Sequence, residues 1–212
     1  MGPVPVIPGS VGVLGGTFDP IHLAHLALAE AAREACGLER ELFVPAGEPP
    51  HKRGRPISPG EHRFAMVELA VAGNPAFAAS RIELDRPGPS YTVETHEALA
   101  GTAGELSLIV SAEALADLPT WHEPHRILEL ARLVVAPRGG YSDLGPGFLA
   151  EHFPGTPARA MFLDGPHLRI SASELRARSA AGHSLRYLVP DAVAAYIGDH
   201  ALYRPDRRDD RS

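Results

Sequence analysis

Gly15-Gly16-Thr17-Phe18-Asp19-Pro20-Ile21-His22-Leu23-Ala24-His25 is the stretch on which the reading of this chain turns. The residues before it, 10–14 (SVGVL), read as a short buried strand. Two glycines and an Asp-Pro pair then predict a loop. From 22 to 36 the chain is rich in Leu, Ala, Glu and Arg, good helix formers, and Gly37 supplies a stop. Strand, glycine turn and helix start in that order suit an anion. Glycines let the backbone approach a phosphate, and the first helical turn offers unpaired N–H groups and partial positive charge. Gly12, Gly15 and Gly16 do not fit G-x-G-x-x-G, and the G-K-[ST] of the P-loop is missing.

The alternation continues outward from there. Strands are expected at 41–44, 77–84, 106–110, 133–136 and 159–163, mostly as continuous apolar runs. Helices are expected at 59–72, 90–99, 121–131, 172–181 and 190–200. Three of them open on capping-box patterns at Ser58, Thr120 and Ser171, each with Glu three residues on. Residues 45–59 form a Gly/Pro-rich loop, and 137–157 are loop with room for one short helix. Strands alternating with helices predict an α/β fold, a doubly wound parallel sheet of Rossmann-like form, with a small C-terminal helical part. Ligands in such sheets bind at the carboxyl ends of the strands, where the glycine loop lies.

At 212 residues, 44% hydrophobic and 22% charged, the chain has the composition of one globular domain. The sequence predicts a flexible lead-in at 1–9, a single domain at 10–203 and a charged, disordered tail at 204–212. No apolar run approaches the roughly 20 residues of a membrane span, and no basic segment opens a signal peptide. One cysteine, Cys36, excludes an internal disulfide, and a reducing, cytoplasmic location is expected. A net charge of −6 is a poor footing for a nucleic-acid binder. Lys52 is the only lysine, so phosphate chemistry must rest on arginine, histidine, backbone N–H groups and this one lysine. The sequence neither requires nor excludes a homo-oligomer.

His22 and His25 lie three apart on the first helical turn, hence on one face. Two imidazoles there suit hydrogen bonds to phosphate oxygens. Two other readings stay open: simple capping, or metal ligation together with Asp19. Ser171 opens a helix whose N–H groups face anions, and Arg176 on its second turn is a planar, permanently charged phosphate partner. The bland alternative is a capping box beside a surface charge. Trp121, the only tryptophan, is either core packing or a ring presented to a ligand.

The glycine stretch closely resembles the G-x-F-D-P-x-H-x-G-H motif of the nucleotidyltransferase superfamily of adenylyl- and cytidylyltransferases. Ile170-Ser171-Ala172-Ser173-Glu174-Leu175-Arg176 resembles that superfamily's second motif, I-S-S-T-x-I-R. Further segments are similar to those of bacterial nicotinate-nucleotide adenylyltransferases: Pro49-Pro50-His51-Lys52, Pro89-Ser90-Tyr91-Thr92, Leu118-Pro119-Thr120-Trp121 and Tyr187-Leu188-Val189-Pro190. The similarity runs over about 11–203. It implies a nucleotidyltransferase domain in which the 5′-phosphate of nicotinate mononucleotide attacks the α-phosphorus of ATP, held with Mg²⁺, and pyrophosphate leaves. The resemblance assigns His22, His25 and Arg176 to catalysis. It assigns Gly15, Gly16, Thr17, Phe18, Ser111, Glu113, Ile170, Ser171 and Ser173 to ATP. Lys52, Tyr91, Thr92, Trp121 and His122 would hold the mononucleotide.

The chain also departs from the pattern. Ser111-Ala112-Glu113 stands where the family has Gly-x-Asp at the ATP ribose, Ala24 replaces the glycine of H-x-G-H, and Ser173 replaces threonine. Adenylylation of nicotinamide mononucleotide or phosphopantetheine by the same fold is the nearest alternative. A nucleotide-binding regulator without catalysis is the alternative from another class.

Overall fold

The computed structural model describes residues 9–49, 56–101, 103–137, 144–156 and 159–204. Six strands form one wholly parallel sheet: β1 (Val11–Gly16), β2 (Arg40–Pro45), β3 (Phe77–Ala79), β4 (Leu106–Ser111), β5 (Ala131–Ala136) and β6 (Ala160–Phe162). Their order is β3-β2-β1-β4-β5-β6. The direction of winding therefore reverses between β1 and β4, which opens a crevice beyond their carboxyl ends.

Strand residues alternate between two cores. Leu42, Val44, Leu108, Val110, Leu133 and Val135 face one, with α3 (Thr92–Ala100), α4 (Ala112–Asp117), α5 (Pro124–Leu130) and α6 (Pro146–His152) packed over them. Leu14, Phe43, Ile109 and Val134 face the other, beneath α1 (Leu23–Cys36), α2 (Gly60–Val71), α7 (Ala172–Ala180) and α8 (Asp191–Asp199). Burial on both faces explains why the strands read as continuous apolar runs.

The structure corrects several expectations. The strand expected at 77–84 ends at Ala79. Beyond it Asp85 N–H bonds the Arg81 carbonyl, and the buried Glu83 turns toward Thr95. Thr120 does not cap a helix. It ends a 3₁₀ turn, Leu118–Thr120, and its hydroxyl donates to the Asp117 carbonyl at 2.7 Å. Helix α5 starts later, at Pro124, because proline fits the first helical position and not the interior. Pro59, not Ser58, is the N-cap of α2. Helix α4 was missed altogether. It begins at Ser111, whose Oγ accepts from Ala114 N–H at 3.2 Å. The lead-in at 1–8, Lys52 with most of its loop, and the tail from 205 lie outside the described residues.

Candidate active site

The glycine loop leaves β1 with its backbone bent sharply. Phe18 takes a left-handed φ of 48°, and its ring is buried. A Cβ on Gly16 would come within 3.1 Å of that ring, a tight contact that would press the ring by a few tenths of an ångström and that glycine avoids. Phe18 in turn sets its ring against His25, centroids 5.1 Å apart and nearly perpendicular. His22 stacks on His25 at 3.6 Å. The His22 N–H donates to Nδ1 of His25 at 3.2 Å. An imidazole that accepts at Nδ1 carries its proton on Nε2 when neutral, so the tautomer of His25 is fixed by its own helix N-terminus.

The metal reading of these histidines calls on Asp19 as a third ligand. Both carboxylate oxygens of Asp19 are engaged elsewhere, one by the Tyr203 hydroxyl at 2.7 Å and the other by Ser58 N–H at 3.1 Å. Among the described residues no group of three or more His, Cys, Asp or Glu could hold a metal ion.

The second motif meets the first. Ser171 caps α7, its Oγ accepting from Glu174 N–H at 3.3 Å and sharing a hydrogen bond with the Ser173 hydroxyl at 2.8 Å. Ile170 packs against the core below. Arg176, one turn on, donates from Nη1 to the Asp19 carbonyl at 2.7 Å, across 157 positions of sequence. Ser171 therefore caps α7, and Arg176 is held against the glycine loop and is no free surface charge.

Arg63 on α2 was missed by sequence reading. It is 2% exposed, and its guanidinium donates to the carbonyls of Thr17, Ser58 and Gly47. Burial pulls its pKa below the usual arginine value, against the carboxylate of Asp19. One side chain thus ties the glycine loop to both ends of the loop at 47–58. Nothing in local sequence distinguishes a buried arginine from an exposed one on a helix.

The other expected residues gather around the start of α3. Tyr91 and His122 set their rings 4.4 Å apart. Thr92 is the first residue of α3, so its N–H has no partner within the helix. Trp121 is half-buried against the core, and its backbone N–H donates to the Leu118 carbonyl. Arg86 stands behind them, an unexpected cation. It donates to the Tyr91 carbonyl and to Thr95 Oγ1 and pairs with Glu94. The Thr95 hydroxyl donates to buried Glu83, whose pKa burial raises. Ser90 Oγ accepts from the N–H groups of Gly47 and Glu48, joining this cluster to the loop that follows β2. Glu113 is exposed in the first turn of α4, where its charge favours the helix dipole.

Comparison with known proteins shows the family. Residues 13–178 match the family model described as cytidylyltransferase-like. A protein of Roseiflexus sp. (strain RS-1) is 54% identical over 195 residues, covering 92% of this chain and 98% of its own. One of Thermus thermophilus is 46% identical over 196 residues, covering 92% and 99%. Both carry the name "probable nicotinate-nucleotide adenylyltransferase". In fold, the chain matches Plasmodium falciparum nicotinic acid mononucleotide adenylyltransferase, solved in separate complexes with APC and with NaAD. Each has a TM-score of 0.72 and covers 92% of this chain and 97% of that one, at 16% and 17% identity. With a family model over most of its length and relatives this similar from end to end, the chain belongs to the cytidylyltransferase-like family, in its nicotinate-nucleotide adenylyltransferase branch.

Proposed function

We propose that this chain transfers the adenylyl group of ATP to nicotinate mononucleotide, giving nicotinate adenine dinucleotide and pyrophosphate, a step in NAD synthesis. One observation carries the reading. The Arg176–Asp19 hydrogen bond brings the second motif onto the glycine loop, so two histidines, an arginine and two helix N-termini converge at the carboxyl edge of the sheet. Such a set suits a polyphosphate, and the transfer needs no covalent intermediate on the protein. An oxygen of the mononucleotide phosphate attacks the α-phosphorus, the bond to the bridging oxygen breaks, and pyrophosphate carries the charge away.

The tautomer of His25 directs Nε2–H toward phosphate oxygen, and Arg176 has further N–H groups for the departing phosphates. Hydrogen bonds that strengthen as charge moves lower the barrier directly. With Asp19 engaged, Mg²⁺ would enter on the phosphates of ATP and be held chiefly by them and by water, as is usual for this ion. It would neutralise phosphate charge. Unpaired N–H groups at the start of α3 suit the carboxylate of nicotinate. Tyr91, His122 and Trp121 supply aromatic surface for its ring, and Lys52 is assigned to the mononucleotide phosphate. We place the enzyme in the cytoplasm, consistent with its lone cysteine. No described helix is long and apolar enough to cross a membrane.

The experiment is pyrophosphate release from Mg-ATP with nicotinate mononucleotide, nicotinamide mononucleotide and phosphopantetheine in turn. Release with the first, at least about tenfold faster in kcat/KM than with the second, is expected; that ratio is worth about 1.4 kcal/mol. Release with phosphopantetheine alone overturns the substrate assignment, and release with none leaves a nucleotide-binding regulator.

A further inference from the structure

Asp19 presents an electrostatic conflict. Its carboxylate is only 3% exposed, in a loop that on the reading above faces polyphosphate. A negative charge there opposes the ligand. Its partners resolve the conflict. The Tyr203 hydroxyl donates to Oδ1 at 2.7 Å, Ser58 N–H donates to Oδ2 at 3.1 Å, and the cation of Arg63 lies close enough to act on it. The carboxylate is held by these neighbours, while the same residue's carbonyl accepts from Arg176.

Tyr203 reaches this loop from 184 positions away, on the turn that follows α8. That turn is fastened in place. Leu202 N–H donates to the Ile197 carbonyl at 3.0 Å, and the Leu202 carbonyl accepts from Ser179 Oγ at 3.3 Å. Ala201 and Tyr203 both adopt left-handed φ, 49° and 65°, which is unfavourable for residues with side chains. Tyr203 is half-buried, and desolvation beside Asp19 keeps its hydroxyl pKa above the ordinary tyrosine value, so it remains a donor at working pH.

We propose that Tyr203 is a positioning residue for Arg176, acting through Asp19. The hydroxyl fixes the Asp19 carboxylate, the fixed residue presents its carbonyl, and the carbonyl sets the plane in which the guanidinium meets phosphate. This rests on the role given to Arg176 above. A planar group oriented through one of its five N–H donors has its remaining donors aimed as well. Misplacement by about 1 Å in such a group can cost roughly 100-fold in rate.

Tyr203→Phe deletes one hydroxyl and keeps the ring. Its kcat for pyrophosphate release, its KM for mononucleotide and its circular dichroism are measured at a temperature where the fold is intact. We expect kcat to fall about tenfold or more, with KM unchanged within about twofold. A residue that served stability alone would lower the melting temperature and leave kcat of the folded protein as it was, and that result overturns the proposal. The same change is then made in an Arg176→Lys background, where Tyr203→Phe should have no further effect on kcat. An equal loss in both backgrounds shows that the hydroxyl acts elsewhere, and the proposal fails while the role of Arg176 stands. Wild-type kcat in Arg176→Lys removes the role of Arg176 and the proposal with it. Should Tyr203→Phe not fold, Asp19→Asn takes its place in the same scheme, with the same loss and the same dependence on Arg176 expected.

Discussion

His25 is held by a ring edge on one side, a stacked ring on the other and a backbone donor at Nδ1. A side chain restrained this way meets its ligand with little entropy left to lose. His22→Ala and His25→Ala should each lower kcat about 100-fold, the worth of roughly 3 kcal/mol for one transition-state donor, with far smaller changes in KM for mononucleotide. Steady-state kinetics decides this, and near wild-type kcat in either variant would make that histidine structural. Trp121 packs its inner side on the core and keeps part of its surface outward. A stacked ring does not distinguish acid from amide, whereas N–H donors do: an amide nitrogen left facing donors costs about 1–3 kcal/mol. Trp121→Ala should therefore raise KM for both mononucleotides by a similar factor. A changed ratio of the two would show the indole reading the carboxylate.

At the scale of elements, helix starts dominate the site. Helices α1 and α7 are assigned to phosphate and α3 to carboxylate, each through N–H groups that its own turn cannot satisfy. Ser111 belongs to this level of organisation. It stands where the family's motif has glycine, and its hydroxyl is committed to capping α4. Glycine is nearly as good a cap as serine, within a few tenths of a kcal/mol. Ser111→Gly should thus leave both the melting temperature and the KM for ATP almost unchanged. A KM for ATP that falls about tenfold would mean that the side chain does obstruct the ribose. Ser171→Ala should cost about 1 kcal/mol of stability through the lost cap, readable in denaturant unfolding, and should also raise the KM for ATP.

For the whole molecule, the least expected feature lies among the described residues far from the site. Glu41 on β2 is fully buried, and neither carboxylate oxygen has a hydrogen-bond partner. It lies over Gly12 of β1, where a Cβ would overlap its carboxylate. Burial pushes its pKa up to about 8. The folded state therefore holds a proton that the unfolded chain releases near the ordinary carboxylate value. Its contribution is fully present in acid and is lost as pH rises through the folded value. Glu41→Gln should gain on the wild type between about pH 5 and about pH 8, by up to about 1.4 kcal/mol per pH unit, as unfolding curves at several pH values will show. A difference that stays flat with pH would mean that the carboxylate is already solvated or paired.

Sequence by itself determined the alternation of strands and helices, the glycine loop at the end of β1 and the helix that Ser171 caps. These rest on local causes: apolar period, glycine freedom and capping geometry act within a few residues. It also supplied the family, because two motifs about 150 residues apart in the right order are specific. It did not supply where the expected strand at 77–84 stops, nor the 3₁₀ turn at Thr120, since a neighbouring strand and a buried Glu83 decide the first and Pro124 decides the second. Least legible were Arg63, Arg86 and Tyr203, which local pattern leaves as an ordinary arginine on a helix, another in a loop and an aromatic near the end of the chain. Their meaning comes from partners on other elements: Thr17 for Arg63, Tyr91 and Glu94 for Arg86, Asp19 for Tyr203. Pairing over that distance requires the folded sheet, because only the winding order brings the ends of β1, β2, α7 and α8 to one place, and no periodicity along the chain encodes it.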